Sequence, residues 1–342
     1  MRGGRRVRAI GTLVAIGFVC SLATSALAVP DGGRGSFAAR ARSRTGETVP
    51  ARGGGLTPLL TGRADELWPS SDATSLAWVQ NSRAHPRHFD AFVRPAGGGA
   101  KTKMNRRGTE TGITTSTDDG FVVFSEFAGD RTSPSVDIRA FEIADDRRFT
   151  PPGINSPSWE LSPSIDDDLF VFNRWKAPRL DTLDRVLLYD GSTDSTELLF
   201  DETSDRGFIG DGTDVTGDWA AWASCGSGRC TVRRHDLVGD QTEAVPNPND
   251  KIQYYPAVFD DGTLYFVQSG AACGRNVRIL RWQGTGAPEV VLAFPTGVDI
   301  AGLTVMHAEI NGTVPTLLLS RFRCDRGNAD GFAYHDDAWT PA

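Results

Sequence analysis

Tyr255-Pro256-Ala257-Val258-Phe259-Asp260-Asp261-Gly262-Thr263-Leu264-Tyr265-Phe266 reads as two apolar strands joined by a tight turn. The flanking runs are rich in β-branched and aromatic residues, and the Asp-Asp-Gly between them accepts the positive φ that a short hairpin needs. The arrangement returns along the chain. Apolar runs anchored on Trp78, Phe124, Phe172, Trp222, Phe266 and Leu318 are separated by 46, 48, 50, 44 and 52 residues. Turn signals precede most of them: Asp118-Asp119-Gly120, Asp166-Asp167-Asp168, Gly217-Asp218, Asp260-Asp261-Gly262 and Asn311-Gly312. After each anchor a polar loop leads to another β-prone run, at 89–94, 136–143, 185–189, 231–235, 277–282 and 331–334, and a fourth run follows in five units.

A period near 48 residues, four strands per unit and no amphipathic helix between units is the sequence signature of a β-propeller, in which neighbouring sheets bury each other's faces. The expected fold is therefore all-β, a six-bladed β-propeller of four-stranded antiparallel blades over residues 55–342. The sixth unit runs out after three strands. Leu56-Thr57-Pro58-Leu59-Leu60, ahead of the first unit, is expected to pair with 331–334, closing the ring and removing an exposed edge.

Outward from the repeat, the chain begins with Arg2, Arg5, Arg6 and Arg8, an apolar run from Ala9 to Leu22, and Ala26-Leu27-Ala28. This order is that of a secretory signal over 1–28. Residues 29–54 are rich in Gly, Ala and Arg without apolar periodicity, and read as a flexible leader. The whole chain of 342 residues carries a formal charge of -7. Without the signal, which holds four arginines and no acid, the charge is -11; without the leader, with five arginines against Asp31 and Glu47, it is -14. So acidic a body argues against non-specific nucleic-acid binding. Four cysteines remain after the signal: Cys225, Cys230, Cys273 and Cys324. An even number in an exported chain favours two disulfides over a metal site. Cys225 and Cys230 flank one hairpin loop, and Cys273 and Cys324 occupy equivalent loops of adjacent units, so the expected pairs are Cys225 with Cys230 and Cys273 with Cys324.

In the stretch 255–266 the chain resembles the TolB-like, WD40-like family of six-bladed propellers, whose repeat places Pro, a strand, Asp-Gly and an apolar strand in that order. Trp68-Pro69-Ser70-Ser71-Asp72 and Ser162-Pro163-Ser164-Ile165-Asp166 match in part; the units near 113, 213 and 303 keep only the period. The resemblance covers residues 56–342 and implies a fold. Members of the family bind proteins or other ligands, or serve as scaffolds and as appended domains of enzymes.

Sequence motifs for nucleophilic or phosphate chemistry are absent, and no cofactor is expected. His85 and His88, three apart and near Asp90, lack an obvious third metal ligand, so no metal is expected there. His307 sits on an innermost strand as a structural histidine, and His235 and His335 fall on outer strands, where exposure is expected. The run Asp205, Asp211, Asp214 and Asp218 lacks the residue order of a calcium loop.

The informative feature is charge placement. In a propeller the loops after the second strand of each blade share one face, and the tight Asp turns lie on the other. Those second-strand loops hold eleven basic residues: Arg83, Arg87, Arg131, Arg174, Lys176, Arg179, Arg229, Arg275, Arg321, Arg323 and Arg326. Asp130, Asp181, Asp325 and Asp330 oppose them. Arginine's planar donors suit carboxylate and phosphate recognition. The expected ligand-binding set is Arg83, His85, Arg87, His88, Arg174, Lys176, Arg179, Arg323 and Arg326. The expected role is that of an exported, non-catalytic binding or scaffold protein, acting as a monomer and recognising an acidic protein, peptide or envelope polysaccharide. The alternatives are a polysaccharide lyase or hydrolase using His85, His88 or His307, and a purely structural envelope protein.

Overall fold

The computed structural model describes residues 55–338 apart from 63, 73, 83–84, 107–108, 131–132, 176–183, 203–206, 227–228, 249–250, 271, 307–314 and 326–328. The expected signal and leader lie outside the described residues. Every regular element described is a strand. β1 (Thr57–Leu60) precedes the first unit, which forms β2 (Glu66–Ser71), β3 (Ser75–Ser82), β4 (His85–Pro95) and β5 (Thr102–Lys103). The second unit forms β6 (Glu110–Asp118), β7 (Phe121–Asp130), β8 (Ser133–Glu142) and β9 (Arg147–Phe149). The third forms β10 (Trp159–Asp166), β11 (Leu169–Trp175), β12 (Asp184–Asp190) and β13 (Ser195–Asp201). The fourth has β14 (Gly207–Thr216), β15 (Trp219–Gly226), β16 (Arg229–Asp236) and β17 (Gln241–Ala244). The fifth has β18 (Ile252–Val258), β19 (Leu264–Ser269), β20 (Arg278–Trp282) and β21 (Glu289–Ala293). The last supplies β22 (Val298–Met306), β23 (Thr316–Arg323) and β24 (Ala329–His335).

Neighbouring strands within each unit pair antiparallel, as a meander must. Hydrogen bonding groups them into four four-stranded sheets and one of eight, where six separate sheets are expected from the repeat. The eight-stranded sheet arises because Trp159 of β10 meets Val136 of β8 in a single parallel bridge, which joins the second and third units. The anchors behave as the repeat requires: Trp78, Phe124, Phe172, Trp222, Phe266 and Leu318 all lie on the second strand of their unit and are at most 3% exposed. Ring closure also follows the sequence. β1 pairs with β24, Thr57 facing Ala333 and Leu60 facing Gly331. Leu60 is buried with Leu76 and Trp78, so the strand is fixed by side-chain burial as well as by its ladder.

The innermost strands carry a feature the repeat does not announce. In β2, β6, β10, β14, β18 and β22 the register to the second strand slips at one place, after Leu67, Thr111, Leu161, Ile209, Tyr254 and Ile300. One extra residue at the slip in β2, β10, β18 and β22, and two in β6 and β14, make a β-bulge, which turns the local side chain out of the pleat. Trp68, Ser162 and Tyr255 occupy it with positive φ, each just before a proline, which has no amide to give to the ladder. Gly212 and Gly302 take it at φ 87° and 144°.

These bulges fill the axis of the ring. Trp68 of the first unit packs edge-on against Tyr255 of the fifth, with ring centroids 4.7 Å apart. Two units that are not neighbours can touch only across the axis. A Cβ on Gly212 of the fourth unit would lie 2.8 Å from the Trp68 ring, and one on Gly302 of the sixth would lie equally close. Trp68 is 3% exposed and Tyr255 1%. An aromatic plug, accommodated by two glycines, therefore sits at the axis of the ring.

Candidate ligand-binding face

Antiparallel meanders place the turns between first and second strands on one face, together with those between third and fourth. The second-strand loops and the links between units occupy the other. On the first face, the aspartates expected to serve as hairpin residues also tie each unit to the next. Asp72 accepts from the Thr74 and Ser75 amides at 2.7 Å and from the Gly120 amide of the next unit at 3.2 Å. Burial pushes its carboxyl up, but these amide bonds outweigh burial and hold it below the usual range. Asp118 accepts from the Asp167 amide at 2.7 Å, and Asp166 accepts from the Gly217 amide. Deeper in, the Ser164 hydroxyl donates to Asp214 at 2.9 Å, and Asp214 also accepts from the Val258 amide at 2.8 Å. Arg234 of β16 is stacked between Trp219 and Trp282 and donates to the Gly262 carbonyl, which joins the fourth and fifth units.

On the loop face the expected basic set divides. Arg83, Lys176, Arg179 and Arg326 lie outside the described residues, as does His307. His85 and Arg87 fall within β4 rather than in a loop. Arg174 departs from its expected loop position: it lies on β11 and donates from Nε to Glu160 at 2.9 Å and from its guanidinium to the Ile154 carbonyl at 2.6 Å. Glu160 is fully buried, and burial pushes its carboxyl up against the opposing Ser156 and Arg174 contacts. A guanidinium held this way neutralises a core carboxylate and has little left to offer a ligand.

His88 sits between Asp90 at 3.2 Å and Glu110 of the neighbouring unit at 3.3 Å, so both ring nitrogens are engaged. Lys103 also reaches Asp90, at 2.6 Å. This histidine links two units. His235 overturns its expected exposure: it lies on β16, is 5% exposed, and its Nδ1 is 2.8 Å from the Thr242 hydroxyl. Burial pushes its pKa down, against nearby Asp240, Glu197 and Asp236. His335 is exposed, as expected, with Nδ1 2.9 Å from Thr316 Oγ1.

The remaining basic residues concentrate over the fourth, fifth and sixth units. Arg229, Arg275, Arg278 and Arg323 are exposed there, and among the described residues of that half Asp325 is the one exposed acid on the same face. Arg323 meets Asp325 at 3.1 Å with both side chains more than half exposed, a pair that contributes little. Arg321 lies instead over the Phe332 ring at 4.2 Å. Both disulfides lie on this half. Cys225 is bonded to Cys230 across the β15–β16 hairpin, and Cys273 to Cys324 between the fifth and sixth units, as the sequence leads one to expect. Under the second bridge, Asp299 is buried and accepts from the Gly274 amide at 3.0 Å and the Tyr254 hydroxyl at 3.1 Å. Asp299 with Cys273 and Cys324 is the only group of three possible metal ligands among the described residues, and its sulfurs are joined to each other.

No family model matches the chain, and no curated protein matches it. Among solved structures it is similar to TolB from Acinetobacter baumannii, with a TM-score of 0.50 and 13% identity over 77% of this chain and 64% of that one. The fold is that of a TolB-like β-propeller. The TolB-like propeller is also similar to the β-propeller domain of the Trilobed protease from Pyrococcus furiosus, with a TM-score of 0.49 and 11% identity over 79% and 93% of the two chains. For an oligogalacturonate lyase from Vibrio parahaemolyticus the values are 0.47 and 9% over 83% of each chain. The chain thus spans about two thirds of TolB, and it covers 42% of a prolyl endopeptidase to which it is similar with a TM-score of 0.49 and 15% identity.

Proposed function

We propose that this chain is an exported, non-catalytic binding or scaffold propeller of six blades whose loop-rich face engages an acidic partner. The eight-stranded sheet counts as two blades in this reading, since one bridge joins them. The observation that carries the reading is the contrast in how charge is used. Acidic turns on one face are engaged in ties between units, whereas exposed arginines gather on the other. Two disulfides fit an oxidising compartment. The protein acts as a monomer.

The test is capture of a defined acidic partner from an envelope extract by the immobilised mature chain. Capture is expected to fall as salt rises, because exposed charges are screened within about 8 Å at physiological ionic strength. Arg87→Glu with Arg323→Glu is expected to abolish it without shifting the melting temperature. Capture that survives this double change, or strengthens with salt, contradicts the reading.

A further inference from the structure

Resting on that reading, the geometry points to one half of the loop face as the contact, and to a linear polyanionic polysaccharide as its ligand. The contact is a row of arginines from three successive units, Arg229, Arg275 and Arg323, with Arg278 beside it. All four are exposed. The row is stiffened at both ends. Arg229 precedes Cys230, whose bridge to Cys225 closes the tip of its hairpin. Arg275 lies two residues from Cys273 and Arg323 one residue from Cys324, and the Cα atoms of those cysteines are 6.0 Å apart. Chain geometry then keeps the Arg275 and Arg323 Cα atoms within about 17 Å of each other, whatever else moves. Asp299 fixes the same corner from below through the Gly274 amide.

The chemistry of the face decides between classes of ligand. A protein partner needs an apolar centre of fully buried anchors ringed by polar contacts. The exposed large hydrophobic residues described are Leu198, Val238 and Val290. Leu198 and Val290 lie on the outermost strands β13 and β21, and Val238 in the turn between β16 and β17, on the opposite face. The arginine row therefore has charge and planar donors without an apolar anchor. That combination suits a flexible chain with anionic groups at regular intervals, each accepting a bidentate guanidinium contact. Among the described residues of the first three units, His88 and Lys103 are held by Asp90 and Arg174 by Glu160.

The experiment measures binding of the full mature chain to polygalacturonate, dextran sulfate and neutral dextran by affinity electrophoresis. Retardation by both anionic polymers and not by neutral dextran is expected. Arg229→Glu, Arg275→Glu and Arg323→Glu together are expected to weaken it at least about tenfold and to flatten its salt dependence. Arg275→Glu with Arg323→Glu keeps the test open should the triple variant fail to fold. Arg147→Glu, on the opposite face, reverses the same charge and is expected to leave retardation unchanged. Binding that persists in the variants overturns the arginine row while leaving the acidic-partner reading intact. Failure to bind either polyanion, with loop-face capture of an acidic protein, overturns the polysaccharide assignment alone. If no acidic partner of any kind is held, both fall.

Discussion

The two faces of the disc use the same kinds of residue for opposite purposes. On the turn face, Asp72, Asp118 and Asp166 each hold an amide of the following unit, so acidic residues that look like surface decoration are part of the joint between units. On the loop face, arginines over the fourth to sixth units stand exposed beside two disulfides, while Arg174 of the third unit is turned onto the buried Glu160. Repetition explains the difference. Every unit needs a joint to its neighbour, so the turn face repeats its chemistry; the loop face is free to vary between units, and variation is where recognition resides.

The largest expected effect separates both faces from the axis that joins them. Trp68→Ala removes a buried indole that reaches across the ring to Tyr255, and the cavity is expected to destabilise the fold by about 3–5 kcal/mol in chemical denaturation. A loss below about 1 kcal/mol would show that the plug does not hold the ring. Next comes the loop-face brace. Replacing Cys273 and Cys324 by serine opens a loop with a sequence separation of 51 and is expected to lower stability by about 3–4 kcal/mol on the chain-entropy account. The same change should weaken polyanion binding even at temperatures where the variant remains folded. Unaltered binding would mean that the bridge has no part in positioning the arginines.

A smaller effect sharpens the comparison within the loop face. Asp184, at the start of β12, is buried, and burial pushes its carboxyl up to about 7. The Ile209 amide of the next unit opposes that shift, and Glu202 adds to it. The folded state thus holds a proton there that the unfolded chain releases near pH 4, so this group's contribution to stability falls as pH rises from about 4 to 7. Asp184→Asn keeps an acceptor for Ile209 and removes the ionisation. It is expected to stabilise the protein by about 1–2 kcal/mol at pH 8 and by little at pH 4. A variant equally affected at both pH values would contradict the assignment.

What was legible in the sequence was what recurs. The anchors from Trp78 to Leu318 and the Asp turns fixed the period, and the deficit of one strand in the sixth unit pointed to closure by Thr57–Leu60. The cysteine pairs could be read because their loops are equivalent in the repeat. The bulges were hidden because one structural position is filled by Trp68, Ser162 and Tyr255 in some units and by Gly212 and Gly302 in others, so no residue type marks it. Only the prolines after Trp68, Ser162 and Tyr255 gave a trace of it. Arg174 and His235 were misplaced for a different reason. A basic residue near a loop looks the same in sequence whether it faces solvent or a buried partner, and Glu160 lies on another strand.

The division of labour between the faces is tested most directly by reversing charge on each in turn and measuring retention on immobilised polygalacturonate. Arg229→Glu, Arg275→Glu and Arg323→Glu change the loop face; Asp119→Lys, Asp168→Lys and Asp218→Lys change exposed positions of the turn face. The account predicts that the first set abolishes salt-sensitive retention and that the second leaves it within about twofold of the parent. Retention lost only with the second set, or kept by both, would contradict it.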